Sequence, residues 1–264
     1  MAIKLIALDL DGTLLTSDKT VTTRTKDILA RAMSRGVTVT IATGRMLRSA
    51  LHFTRLIASD APVICCNGGY VGKAEEEPVF ACYFDPMLTR EFLTFAYTRN
   101  WYVNWYSGME IYAPEYREEY FTAYRTTAHF KVNGVGGDYL RYTENVPQFV
   151  LREMDTGIGS YVRAVQERFG DQLVPQQNTG TSVDINPLGV NKAVGVQALA
   201  DAMGLTLDEV MVAGDADNDF EMLEMGAFSV VPENGLPEAK ERARYVTASN
   251  DANGIALAIE KFVL

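Results

Sequence analysis

Short apolar runs alternate with helical patterns at both ends of the 264-residue chain, and this alternation constrains the fold more than any other feature. The predicted strands are 3–8, 37–41, 62–66, 210–213 and 228–231. The apolar spacing predicts helices over 23–35, 192–203, 220–225 and 255–262, with one more that ends at residue 58. Strands that alternate with helices form βαβ units around a parallel sheet. We therefore predict an α/β fold with a Rossmann-like parallel sheet built by both ends of the chain.

The middle of the chain has a different composition. The stretch from Phe80 to Leu188 holds 21 of the 27 aromatic residues, and its apolar runs are less regular. A shift of this kind marks a domain boundary, and Pro and Gly residues interrupt the pattern at both edges. We predict a discontinuous core of residues 1–82 and 188–264, with a second domain of residues 83–187 inserted between its halves.

The charge balance argues against polyanionic partners. The chain has 24 Lys and Arg against 34 Asp and Glu, so its formal net charge is −10. Nucleic acids and anionic membrane surfaces are bound by clustered basic side chains, which this sequence lacks. No stretch approaches the roughly 18 apolar residues of a membrane span. We therefore expect no nucleic-acid partner and no membrane association.

Histidine and cysteine are too scarce for a zinc site. The chain has two histidines, and its three cysteines, Cys65, Cys66 and Cys82, are an odd number without the spacing of a metal motif. Any metal should therefore be a hard ion held by oxygen ligands. The same cysteine pattern gives no disulfide framework, so we expect a cytoplasmic location.

Acidic residues directly follow two of the predicted strands. Asp9 and Asp11 lie in the segment DLDGT at 9–13, and Asp215, Asp217 and Asp219 lie in GDADND at 214–219. Open α/β sheets bind ligands at the carboxyl ends of their strands, and carboxylates gathered there need a cation or a proton between them. Mg²⁺ is the simplest explanation, because it takes few carboxylates and shares its site with phosphate. Taken separately, the first segment could be an acidic turn and the second a helix N-terminus.

Two further segments could hold a phosphate. Thr43, Gly44 and Arg45 follow another predicted strand, where a hydroxyl and backbone N–H groups favour anions, although a plain helix cap would look the same. Lys192 opens a predicted helix and could balance the charge of a phosphate, or it could be a solvated surface lysine.

Taken jointly, these segments fit phosphoryl transfer to a carboxylate. Asp9 would attack phosphorus, and Asp11 would protonate the leaving oxygen before it activates water. Lys192 and Thr43 would hold the transferring group while Mg²⁺ neutralises its oxygens.

At these residues the chain resembles the haloacid dehalogenase (HAD) superfamily, and within it the Cof-type sugar phosphatases. The family motifs appear in order as DLDGT at 9–13, Thr43, Lys192 and GDADND at 214–219. Thr43-Gly-Arg45 and Asn67-Gly68 are similar to the Cof-type form. Two positions depart from the pattern, since the usual Lys-Gly reads Lys192-Ala193 and the usual Gly-Asn-Ala reads Glu233-Asn234-Gly235. The resemblance implies a HAD core with a large inserted α/β cap domain, here residues 83–187.

The resemblance also implies roles for individual residues. Asp9 would be the nucleophile and Asp11 the general acid and base. Mg²⁺ would be held by Asp9, Asp215 and the backbone carbonyl of Asp11, with Asp219 supporting or joining them. The residues that would contact phosphate or substrate are Thr43, Gly44, Arg45, Asn67, Lys192 and Asn218.

We therefore expect a Mg²⁺-dependent phosphatase of small phosphorylated metabolites, sugar phosphates above all, which works through an aspartyl-phosphate as a monomer or homodimer. Two alternatives stay open at this point: a phosphomutase that uses the same intermediate, and a non-catalytic sugar-phosphate binding protein. Selectivity among substrates should lie in segment 83–187, because a cap that closes over a core reads the leaving group.

Overall fold

The computed structural model describes residues 2–121, 131–153, 157–179 and 181–264. The chain forms two compact units, Met1–Phe80 together with Asn191–Leu264, and Ala81–Val190. The first unit therefore contains both ends of the chain, and the second is a continuous segment.

The helices and strands follow one another in chain order. The first unit begins with β1 (Leu5–Leu8), α1 (Thr23–Ser34), β2 (Thr38–Ile41), α2 (Leu47–Leu56), β3 (Val63–Cys65), β4 (Tyr70–Gly72) and β5 (Phe80–Ala81), at which the second unit begins. The second unit contains α3 (Pro86–Tyr97), β6 (Tyr102–Ser107), β7 (Glu110–Ala113), β8 (Val132–Gly134), β9 (Phe149–Arg152), α4 (Ile158–Phe169), β10 (Leu173–Thr179) and β11 (Ser182–Pro187). The first unit resumes with α5 (Lys192–Ala202), β12 (Val210–Ala213), α6 (Phe220–Glu224), β13 (Phe228–Pro232), α7 (Pro237–Arg242), β14 (Tyr245–Thr247) and α8 (Gly254–Phe262).

A parallel sheet forms the centre of the first unit. Its strand order is β14-β13-β12-β1-β2, and β3 continues it through a bridge between Ala42 and Ile64. Every side chain of β1 and β12 is buried, as expected for central strands of a parallel sheet covered on both faces. The chain continues from β1 to one side of the sheet and later returns to the other side, so the topological switch point lies between β1 and β12.

The second unit is built around an antiparallel sheet. Its strand order is β10-β11-β9-β6-β7-β8, in which only the β7–β8 pair is parallel. One face carries the apolar core, in which Trp105 and Phe149 pack against Phe92 of α3 and Val165 of α4. Several residues that alternate with these along the strands are polar and buried, among them Asn104, Asp184 and Asn186.

The predicted α/β fold with a parallel-sheet core is confirmed. The predicted strands and helices of the first unit are present with bounds that differ by a few residues. Four short elements of the first unit, β4, β5, α7 and β14, were not predicted, because two to six residues are too few to show a period. Among the described residues, no helix has both the length and the apolar character needed to cross a membrane.

Candidate functional site

The candidate site lies where β1 and β12 end side by side. Their register pairs Leu8 with Ala213, and the next residue, Asp9, donates its backbone N–H to the Ala213 carbonyl at 2.9 Å. Asp9 and the segment that begins at Gly214 therefore leave the sheet together at its switch point. In open α/β sheets this crevice is where ligands bind.

Lys192 joins two of the acidic residues inside this crevice. Its Nζ lies 2.7 Å from Asp9 Oδ1 and 2.7 Å from Asp219 Oδ1, and its side chain is fully buried. Burial alone would lower the pKa of Lys192, but Asp219 and Asp9 outweigh that effect and raise it. Lys192 is therefore a buried ammonium ion, and the solvated surface lysine that its sequence position also allowed is excluded.

Asn191 and the turn before β4 set the position of Lys192. The Asn191 side chain caps α5 by accepting the Val194 N–H at 3.1 Å, which fixes Lys192 in the first turn of the helix. Gly68, with a φ of +91°, packs so closely on this cap that a Cβ there would lie less than 3.0 Å from the Asn191 carbonyl oxygen. Cys66 and Asn67 before it are also left-handed, with φ of +51° and +52°.

Asp215 and Asp219 are oriented by different partners. Asp215 Oδ1 accepts the Thr13 hydroxyl at 2.6 Å. Asp219 Oδ2 accepts the backbone N–H groups of Asp215 at 2.8 Å and of Ala216 at 3.1 Å. Burial raises the pKa of Asp215 to about 6. The hydrogen bond from Thr13 acts to lower this pKa, and the charge of Asp219 acts to raise it. Asp217 is exposed and lies outside this group.

Asp9, Asp215 and Asp219 suit a divalent cation. One carboxylate oxygen of each lies within 4.8 Å of those of the other two. Burial raises the pKa of Asp9 well above its ordinary value, and Asp219 and Asp215 add to this effect against Lys192. Three carboxylates here face the one ammonium of Lys192, so a hard dication held by oxygen would restore neutrality. Asp219 has both oxygens engaged by Lys192 and backbone N–H groups, which makes Asp9 and Asp215 the better ligands.

Asp11 is held by two cations. Arg45 donates to Asp11 Oδ2 from Nε at 3.0 Å and from Nη2 at 2.8 Å, and Lys19 Nζ lies 2.8 Å from Oδ1. Burial acts to raise the pKa of Asp11, but Arg45 and Lys19 outweigh it and lower the pKa. The Arg45 guanidinium also lies 5.0 Å from the centroid of the Phe53 ring. Contact between Arg45 and substrate stays a prediction; in the structure the guanidinium binds Asp11.

The other predicted residues line the edge of the crevice beside β2 and β3. Thr43 is buried, and its Oγ1 accepts the Arg45 backbone N–H at 3.2 Å across Gly44. Asn67 donates its backbone N–H to the Thr43 carbonyl at 3.1 Å. Its side-chain Oδ1 accepts a hydrogen bond from Asn218 Nδ2 at 3.4 Å. Thr43, Asn67 and Asn218 are therefore linked, although they come from three distant parts of the sequence.

Asn234 and Asn250 hold the 9–13 loop through contacts that were not predicted from the sequence. Asn234, which lies at a departure from the family pattern, donates from Nδ2 to the Gly12 carbonyl at 2.8 Å. Its Oδ1 accepts the Asn250 backbone N–H at 2.9 Å, and Asn250 Nδ2 donates to the Leu15 carbonyl at 2.8 Å. The Asn234-Gly235 turn was visible in the sequence, but its partner loop was not.

Replacing Gly12 with Ala should weaken divalent-metal binding by roughly tenfold. A Cβ at Gly12 would lie less than 3.0 Å from Asp215 Oδ2, so the carboxylate must move. The measurement is a calorimetric titration with Mg²⁺. Gly36→Ala is the matched control, because Gly36 has a similar φ (+84° against +88°) but nothing within 4 Å of its added Cβ. Equal metal binding by the two variants would contradict the proposed ligand role of Asp215.

A family model described as haloacid dehalogenase-like hydrolase matches residues 6–259. A Streptococcus pyogenes protein named as a candidate phosphatase is 33% identical over 271 residues, covering 100% of both chains. The 5-amino-6-(5-phospho-D-ribitylamino)uracil phosphatase YitU of Bacillus subtilis is 28% identical, covering 98% of this chain and 97% of its own.

A solved structure shares the whole fold. It is the HAD subclass IIB sugar phosphatase BT4131, which superposes with a TM-score of 0.82 at 21% identity and covers 98% of each chain. Because the two sequences are only 21% identical, this structural similarity establishes the fold alone.

Proposed function

The chain belongs to the haloacid dehalogenase-like hydrolase family and is a phosphatase, and we propose that it is a Mg²⁺-dependent enzyme that hydrolyses small phosphorylated metabolites through an aspartyl-phosphate. One observation carries the proposal: Lys192 is buried between Asp9 and Asp219, beside Asp215, at the switch point of the sheet. A candidate nucleophile, a buried positive charge and candidate oxygen ligands for a metal therefore lie in one place.

Asp9 is the proposed nucleophile. Its carboxylate oxygen attacks phosphorus, the bond from phosphorus to the leaving oxygen breaks, and the phosphoryl group becomes attached to Asp9. Mg²⁺, held by Asp9, Asp215 and the backbone carbonyl of Asp11 with support from Asp219, would supply positive charge to the phosphoryl oxygens. Lys192 Nζ, 2.7 Å from Asp9 Oδ1, supplies a second positive charge and holds the nucleophile in place.

Asp11 is the proposed general acid and base. It gives a proton to the leaving oxygen in the first step and takes one from water in the second. That water attacks phosphorus, the bond from phosphorus to Asp9 breaks, and inorganic phosphate leaves. Thr43, Gly44 and Asn218 would hold the phosphate oxygens by hydroxyl, backbone N–H and amide groups, with Asn67 and Arg45 beside them.

The proposed substrates carry their phosphate on a polyhydroxylated chain. Sugar phosphates have this chemistry, and so does the phosphoribitylamino-uracil named for the relative YitU. We propose that the inserted unit provides selectivity between these substrates. We also propose that the enzyme is cytoplasmic, consistent with its three cysteines, none of which forms a disulfide.

A phosphate-release screen tests this function. We expect the protein with Mg²⁺ to release inorganic phosphate from hexose, pentose and ribityl phosphates faster than from nucleotides, and to lose activity when EDTA removes the metal. Release that requires a sugar bisphosphate activator would indicate a phosphomutase. Tight binding of sugar phosphates without turnover across the panel would contradict the enzymatic proposal and support a binding protein.

A further inference from the structure

Lys19 is the second cation on the Asp11 carboxylate, and no motif of the sequence pointed to it. The two Arg45 N–H groups end on the same oxygen, Oδ2, at 2.8 and 3.0 Å. Lys19 Nζ lies 2.8 Å from the other oxygen, Oδ1, so each oxygen of the Asp11 carboxylate is held by its own cation.

The turn that carries Lys19 is fixed at several points. Lys19 has a φ of +57°, a left-handed conformation that a non-glycine residue adopts at a cost. The turn closes through Thr16, whose N–H donates to the Thr20 carbonyl at 2.9 Å and whose carbonyl accepts the Lys19 N–H at 2.8 Å. Ser17 donates from its backbone N–H and its hydroxyl to the Asp251 carboxylate at 2.8 and 2.7 Å. The backbone of Lys19 is therefore held where its side chain reaches Asp11.

The Lys19–Asp11 pair contributes little to folding. The side chain of Lys19 is 59% exposed and that of Asp11 is 40% exposed. Ion pairs between exposed groups contribute little to stability. Lys19 contacts the candidate catalytic residue Asp11, and the stability of this ion pair does not explain why the backbone of Lys19 is strained.

We propose that Lys19 is a positioning residue, which together with Arg45 holds the Asp11 side chain in one orientation for proton transfer to the leaving oxygen. The proton that Asp11 gives to the leaving oxygen is the one that it took from water in the preceding turnover. This inference rests on the proposed function of Asp11. Arg45, with its backbone bonded to Thr43 and its guanidinium beside the Phe53 ring, is the inner support, and Lys19 is the outer one.

A series of leaving groups separates positioning from a structural role. A p-nitrophenolate leaves from phosphorus without a proton, whereas a sugar or alkyl alkoxide needs one, so only the second depends on the acid. We expect Lys19→Met to lower kcat/KM for a hexose phosphate by roughly tenfold and to change kcat/KM for p-nitrophenyl phosphate by less than about twofold. The ratio kcat/KM covers only the steps up to departure of the leaving group, before Asp11 acts on water in the step that both substrates share. Lys19→Arg, which keeps a cation, should restore most of the hexose phosphate rate.

Lys4→Met is the matched control. Lys4 is 56% exposed and pairs with Glu209 at 2.6 Å near the start of β1, whereas the candidate site lies at the end of that strand. This variant should leave both rates unchanged.

Equal losses with both substrates, or no loss with either, would overturn the role of Lys19 while the proposed phosphatase function stands. A wild-type protein that hydrolyses neither substrate would overturn both proposals together.

Discussion

Phosphate release from p-nitrophenyl phosphate is expected to fall by roughly 10³-fold or more when Asp9 is replaced by Asn. The amide has no charged oxygen to attack phosphorus, so the covalent route is closed. Because Asn has nearly the same shape, the fold should survive. Turnover is measured at saturating Mg²⁺, with thermal unfolding measured in parallel.

Asp60→Asn provides the control for the Asp9 experiment. The Asp60 side chain is 99% exposed and pairs with Lys73, so this variant should keep full activity and stability. A substrate with a labelled phosphate should rapidly label the wild-type protein but not Asp9→Asn. That difference would identify Asp9 as the carboxylate that accepts the phosphoryl group. Substantial turnover by Asp9→Asn would remove Asp9 from the role of nucleophile.

Replacing Lys192 with Met should abolish activity and destabilise the metal-free protein by about 3–5 kcal/mol. The ammonium is fully buried and bonded to two carboxylates at 2.7 Å, so its loss leaves Asp9 and Asp219 buried without their cation. The measurement is urea unfolding in EDTA, together with phosphate release in Mg²⁺. Lys4→Met, which breaks the exposed pair with Glu209, should cost less than about 1 kcal/mol.

A second substitution distinguishes charge from packing at Lys192. Adding Asp219→Asn to Lys192→Met removes one of the unpaired carboxylates, so the double variant should recover part of the lost stability. Its activity should stay absent, because Asp9 still lacks its positive neighbour. If the double variant is as unstable as the sum of the two single variants, the interaction between Lys192 and Asp219 is not the source of the effect.

Several elements of the fold and site could be predicted from the sequence. The strand that ends at Asp9 and the strand that ends before Gly214 could be recognised from apolar runs followed by acids. Parallel strands end at a common edge, so their acids had to lie near one another once the strands were known to be neighbours. Short elements such as α7 could not be recognised, because six residues give too little periodicity.

Partners distant in sequence could not be derived in the same way. Nothing in the spacing of residues indicates that Lys192 lies between Asp9 and Asp219, 183 and 27 residues away. No role could be predicted for Lys19 from the sequence, because lysines are common in polar surface turns. Arg45 was expected beside the substrate, and only the packing of the turn after β2 against the 9–13 loop revealed its bond to Asp11.

The sequence by itself determined which chemistry is available: oxygen ligands in place of zinc ligands, one lysine after a helix cap, and acids at strand ends. These properties depend on residue types and local periodicity, which can be read directly from the sequence. The tertiary structure decided which acid has which partner. Lys192 binds Asp9 and Asp219. Thr13 binds Asp215, and Arg45 and Lys19 bind Asp11. Burial and charge act through distances in space, so the same side chain, aspartate, has a raised pKa at position 9 and a lowered one at position 11.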